Sequence, residues 1–182
     1  MTNTNDINEI NSQQAVVGFV YTRLESLVDI SRYTMLFLLS EDGILSPDRH
    51  SGVFHDSDFE SYCISQLQSS QDLLRDQNNQ YKVYLSEINR ELAQEVYDLD
   101  VYLLLYDQNS YLNITMPNIQ SIDAIANVAY DLSTTEHVDF TMNNPTLQTV
   151  VRNSMDEMIV NIENSPERFI RQIEYELDNT LS

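Results

Sequence analysis

The sequence predicts a mainly α-helical protein, a bundle of about five to six helices with at most two short β-strands near 111–116 and 138–142. Three observations carry that expectation. Helix breakers are scarce, with 3 glycines and 4 prolines in 182 residues, so long stretches hold nothing that interrupts a helical hydrogen-bond ladder. Apolar residues recur at three- and four-residue steps, the spacing of one helix face. A hydrophobic fraction of 42% in a 21.1 kDa chain is enough to bury one real core. The expected organisation is a polar N-terminal arm over 1–11 and a single helical domain over 12–182.

The arm, within "MTNTNDINEINSQQ", offers only Ile7 and Ile10 to bury. That is too little to offset the entropy of ordering it unless a neighbour contributes surface. It also lacks the basic stretch and apolar core of a signal peptide. Val16, Phe19, Val20, Leu24, Leu27, Ile30, Met35, Leu38 and Leu39 then predict helix from Ser12 to about Ser40, with Asp29 to Ser31 the expected break and Gly43 and Pro47 the stop. After the irregular "EDGILSPDRHSGVFHDS", Ser57 is a candidate N-cap for a helix through Phe59, Tyr62, Cys63, Leu67, Leu73 and Leu74. Past "DQNNQ" the pattern resumes as Tyr81, Leu85, Ile88, Leu92, Val96, Leu99, Leu103 and Tyr106, close to a heptad seam. One helix from Asp58 to Tyr106 would be roughly 74 Å long, so a break near Asn78 and Asn79 is expected.

Leu112, Ile114 and Met116 alternate with polar residues, as do Val138, Phe140 and Met142. Period two predicts short strands on either side of a helix from about Ile119 to Leu132. They pair with each other, pair with a neighbouring subunit, or serve as extended arms. Asn144 before Pro145 and Ser165 before Pro166 mark the starts of two closing helices.

Chemistry is sparse. Asp48, His50, His55, Asp56, Asp58, Glu60 and Cys63 crowd one loop and helix start, yet their spacing matches no zinc or calcium motif, and acids at a helix N-terminus suit its dipole. Cys63, the single cysteine, shares a face with Phe59 and Leu67 and reads as a buried thiol rather than a nucleophile. His137 beside Glu136 adds nothing to either case. The acid pairs Asp98 and Asp100, or Asp156 and Glu157, alternate with apolar residues as a solvated helix face does, and sequence proximity alone does not build a glycosidase cleft. Asn113 opens a formal glycosylation triplet, and Gly18, Gly43 and Gly52 are isolated from any phosphate-loop pattern. No catalytic, cofactor-binding or metal residue is assigned, and no cofactor is expected.

Charge is the stronger clue. Acids number 29 against 9 basic residues, Lys82 is the only lysine, and the net charge is −20. From Glu91 to Val151 there is no Lys or Arg, while Glu91, Glu95, Asp98, Asp100, Asp107, Asp123, Asp131, Glu136 and Asp139 are acidic. Such a surface repels phosphate, so tight nucleic-acid binding and adhesion to anionic membrane are not expected. The longest apolar runs, "YTMLFLLS" and "VYLLLY", fall short of a membrane span, which predicts a soluble protein. The acidity suits high salt and a halophilic host, a passage through which DNA slides, or a basic partner. Arginine is expected where a planar cation ties helices or subunits together, and the 11 tyrosines suit core margins and subunit interfaces.

The resulting expectation is a non-enzymatic structural protein that assembles with other protein subunits as a homo-oligomer within a larger particle. Its specific form is a virion component of a tailed virus, a head-to-tail connector or adaptor-like ring subunit, with a cytoplasmic location the alternative. Candidate assembly contacts are Ile7, Ile10, Leu112, Ile114, Met116, Val138, Phe140 and Met142. An acidic inhibitor or DNA mimic that blocks a basic partner is the second reading, and a metal- or thiol-dependent hydrolase the third.

Overall fold

A computed structural model describes residues 4–45, 56–87, 100–107, 110–135, 140–141 and 143–153. Among them are four helices and a two-stranded antiparallel sheet: α1 (Thr4–Glu41), α2 (Asp56–Glu87), β1 (Asp100–Asp107), β2 (Ser110–Pro117), α3 (Asn118–Thr134) and α4 (Pro145–Asn153).

Helix α1 buries Val16, Val20, Arg23, Leu27, Ile30, Thr34 and Phe37, alternating steps of four and three that keep one seam facing its neighbour. No break occurs at Asp29 to Ser31, and the helix begins at Thr4, so residues 4–11 continue it in backbone conformation. Its stop is the expected one. Gly43 takes φ of 66°, its N–H donates to Ser40 O at 2.9 Å and the N–H of Ile44 donates to Leu39 O at 3.0 Å. This pairing satisfies carbonyls that the helix end leaves open, and a residue without a Cβ takes that backbone at no steric cost.

Helix α2 returns antiparallel to α1. Ser40 donates to Glu60 Oε1, the Tyr33 and Tyr62 rings meet edge to face at 6.0 Å, and Arg23 reaches Asn78. The expected break at Asn78 and Asn79 is absent, because Asn78 is inside the bundle with its amide fully used. Its Oδ1 accepts from Arg23 Nη1 at 3.0 Å, while its Nδ2 donates to Ile119 O at 3.0 Å and to Asp123 Oδ1 at 2.7 Å. An asparagine that finds such partners no longer competes with its own helix backbone. Lys82 adds an ion pair to Asp123, and Arg75 Nη2 donates to Asn127 Oδ1, so α3 lies antiparallel to α2.

The helical reading of 100–106 is corrected: Val101, Leu103 and Leu105 belong to β1. A short apolar run fits strand and helix equally until its pairing is known. The strand expected at 111–116 is β2, and its partner is β1, with Leu103 opposite Ile114 and Leu105 opposite Leu112. Around the second expected strand, Phe140 and Thr141 are irregular, and Phe140 is buried with its ring 4.2 Å from that of Phe37. Val138 and Met142 lie outside the described residues, as does the helix expected after Ser165. Helix α3 runs one residue before and two beyond the expected span. Helix α4 starts as read, with Asn144 Oδ1 accepting from the N–H groups of Thr146 and Leu147 at 2.9 and 3.1 Å.

The buried amide makes a testable stability prediction. Asn78→Ala leaves the Arg23 guanidinium in the core without that acceptor and is expected to cost about 3 kcal/mol. Arg23→Met, which removes the charge itself, costs about 1 kcal/mol, the price of one neutral acceptor left unmade. The double variant should be more stable than Asn78→Ala alone, as equilibrium urea unfolding would measure.

Candidate functional site

Three pieces pack together at one end of the described fold: the β1–β2 hairpin, the C-terminal half of α3, and α4. Asn153 at the end of α4 fixes their relation. Its Oδ1 accepts from the N–H of Leu104 at 2.7 Å, and its Nδ2 donates at 2.7 Å to the carbonyls of both Leu104 and Thr149. The side chain thereby acts as a one-residue strand on the outer edge of β1. On the other side of the hairpin, Tyr111 donates through its hydroxyl to Gln148 Oε1 at 2.9 Å, and the Arg152 guanidinium lies 5.0 Å from its ring centre.

Between these pieces lies an open groove of about 380 Å³, lined by Leu105 and Leu112 from the hairpin, Val128 and Asp131 from α3, and Pro145, Thr146 and Thr149 from α4. One carboxylate and two hydroxyls stand on a largely apolar floor, and the Thr149 hydroxyl is already donating to Pro145 O at 3.0 Å.

The expected contact residues are dispersed. Leu112 is 48% exposed, Ile114 and Met116 are half-buried on the hairpin, and Phe140 is in the core of its own chain. Ile7 and Ile10 lie in the first turns of α1, where only the backbone is described. Sequence reasoning overlooked Asn153, Tyr111 and Gln148. A lone polar residue late in a helix carries no signal before the strand it touches is known.

Among the described residues no group of three or more His, Cys, Asp and Glu side chains could hold a metal ion. His50 and His55 lie outside them. Cys63 is 1% exposed, and burial, helped by the nearby Glu60 carboxylate, pushes its thiol from 9.0 up to about 11. Burial likewise raises the Tyr81 phenol from 10.0 to about 12, against the pull of the Arg23 guanidinium stacked 3.8 Å from its ring centre. Arg23 itself is lowered from its ordinary value because burial strips its water, with Tyr81 opposing.

Five basic side chains among the described residues are engaged by neighbours. Arg23 binds Asn78, Arg32 pairs with Asp29 at 2.9 Å, Arg75 holds Asn127, Lys82 pairs with Asp123 and Arg152 covers Tyr111. No helix among the described residues is long and apolar enough to cross a membrane. In class, then, this is a mainly helical chain with a clamped hairpin. No protein-family model matches it, and neither a curated protein nor a solved structure does.

The raised thiol and phenol have a defined alkaline consequence. Both hold protons in the folded chain at a pH where the unfolded chain releases them, so their stabilisation is lost as pH rises: from 9.0 to about 11 for Cys63 and from 10.0 to about 12 for Tyr81. Unfolding midpoints should fall across that window, and Cys63→Ala should remove the earlier part of the fall. At neutral pH the native thiol should resist a disulfide reagent and react only after denaturant is added.

Proposed function

We propose that this chain is a non-enzymatic assembly subunit acting through protein surfaces, and that it serves in the particle of a tailed virus as a head-to-tail connector or adaptor-like ring subunit. The observation that carries the assembly reading is the hairpin. It keeps Leu112 and the groove beside it open to solvent in a chain of net charge −20. Supporting it, the single thiol is buried and protonated. For the particle, support comes from charge: a chain at −20 repels phosphate, which suits a surface past which DNA moves without sticking.

Native mass and sedimentation test this reading. The full-length protein is expected to form a concentration-dependent multimer that tightens between about 0.1 M and about 1 M KCl, as screening shortens from roughly 10 Å to 3 Å and like-charged subunits stop repelling. An inhibitor of a basic partner behaves oppositely: it stays monomeric alone and loses its partner as salt rises. A chain that is monomeric across that range overturns the assembly reading.

A further inference from the structure

The two edges of the hairpin are treated differently. On the outer edge of β1, Asn153 occupies both the N–H and the carbonyl of Leu104. Since these groups point away from β2, Leu104 and its opposite residue Asn113 form a non-hydrogen-bonded pair of the antiparallel ladder. The backbone N–H and carbonyl of Asn113 therefore point outward along the far edge of β2, and so do those of Thr115, two residues on. Both residues are exposed.

Among the described residues nothing pairs with that edge. Ser110–Pro117 reads SYLNITMP, with no charged residue, whereas solitary edge strands are normally guarded by lysine, inward charge or a bulge. Its side chains sort by face, with Leu112, Ile114 and Met116 on one and Asn113 and Thr115 on the other. The bulk of the chain carries −20, so a basic partner is drawn to the acidic surface and gains no attraction from a neutral strand. A second copy has the opposite preference, since its charges repel least where both strands are uncharged.

We infer that β2 is the site of self-association, pairing antiparallel with β2 of a second copy about a two-fold axis through Asn113. The proposal rests on the assembly reading and names its partner. Parity restricts the register to those that set odd-numbered residues opposite odd-numbered ones, and the one centred on Asn113 overlaps most of Ser110–Pro117 without asking Pro117 for an N–H it lacks. With Asn113 opposite the partner's Asn113, the outward backbone groups of each meet, and Leu112 stands opposite the partner's Ile114 on a shared apolar face. A shift of one residue turns one copy's apolar face to the other side of the sheet. The pairing is isologous and closes as a two-fold dimer, so a ring would use a second contact elsewhere on the chain.

Single-cysteine cross-linking in full-length protein carrying Cys63→Ala tests the register. Asn113→Cys places two thiols on a hydrogen-bonded pair with Cα atoms about 5.5 Å apart, inside the disulfide range of about 4.4–6.8 Å. Leu112→Cys places them on a diagonal about 7–8 Å apart, beyond the Cα separation that bond spans without backbone movement. Under mild oxidation the first is expected to give covalent dimer at least about tenfold faster than the second. A third variant, Asn113→Pro, removes an outward N–H and no bond of the β1–β2 ladder, while also fixing φ at that position. It should keep its helical circular dichroism and its protected Cys63, and weaken self-association at least about tenfold.

Equal cross-linking rates at 112 and 113 overturn the register, and so does an Asn113→Pro variant that is folded and associates like its parent. If a multimer persists in that case, the assembly reading stands and only the β2 contact fails. A parent that is monomeric at high salt and cross-links at neither position overturns both. Association that appears only with a basic protein and weakens with salt also rejects the second copy as the occupant.

Discussion

The amide of Asn78 joins three helices through one side chain. Its oxygen holds a guanidinium from α1, and its nitrogen holds a carbonyl and a carboxylate from α3. An amide has no net charge, so it gives the buried Arg23 an acceptor at Nη1 without adding a second charge to be desolvated in the middle of the core. The carboxylate that balances the cation, Asp123, is instead set one hydrogen bond further out, where Lys82 and solvent share it. Apolar seams alone would permit α1, α2 and α3 to slide by a helical turn. The polar chain from Arg23 through Asn78 to Asp123 has one register in which every link is made, which is how buried polar groups select among packings of similar apolar area.

Asn153 repeats the device at the other end of the molecule with a different target. There an amide imitates a peptide group and closes a strand edge. The two asparagines divide the fold between them: one sets the helices against each other, and the other attaches the hairpin to α4. The clamp occupies Leu104 in the middle of the β1 edge, so growth of the sheet is obstructed there and is left to β2 among the described residues. A two-stranded sheet is marginal by itself in water, and this one is held by side-chain contacts on one flank, leaving an uncharged strand on the other.

Much of this architecture was legible, and the parts that were not share a cause. Local signals placed Gly43 at the end of α1, Asn144 and Pro145 at the start of α4, and the span of α3 within two residues, because caps and single-face periodicity are properties of contiguous residues. The alternation of Leu112, Ile114 and Met116 marked a strand for the same reason. What failed depended on a distant partner. Asn78 and Asn79 read as a break because a polar stretch in a helix looks like a loop until Arg23, 55 positions earlier, is seen to need it. Residues 101–106 read as helix because Leu103 and Tyr106 extend a heptad, and only the register with 110–117 decides otherwise. Phe140 shows period-two spacing with its neighbours, yet its burial is set by Phe37. At the candidate site, Leu112 was identified by its pattern. Asn113 and Asn153 were not, since the direction of a backbone N–H follows from pairing rather than from residue type.

The scarcity of lysine acquires a physical meaning from these contacts. A lysine on a flexible stem presents a hydrated point charge to solvent, whereas arginine stacks and makes directed bonds. Arg23, Arg75 and Arg152 each lie on an aromatic ring as well as an acceptor or neighbouring strand, so their cost of ordering is shared with packing. Lys82, the single lysine, is the exception that follows the same rule, because it is held against Asp123 rather than released to solvent. The excess of acids, −20 in all, gives the chain a field of predominantly one sign, which strengthens the repulsion between copies. Contact between copies then requires a surface that is neutral, directional and short. A free strand edge meets all three conditions: its hydrogen bonds act only at contact distance, and it asks for no charge from either side.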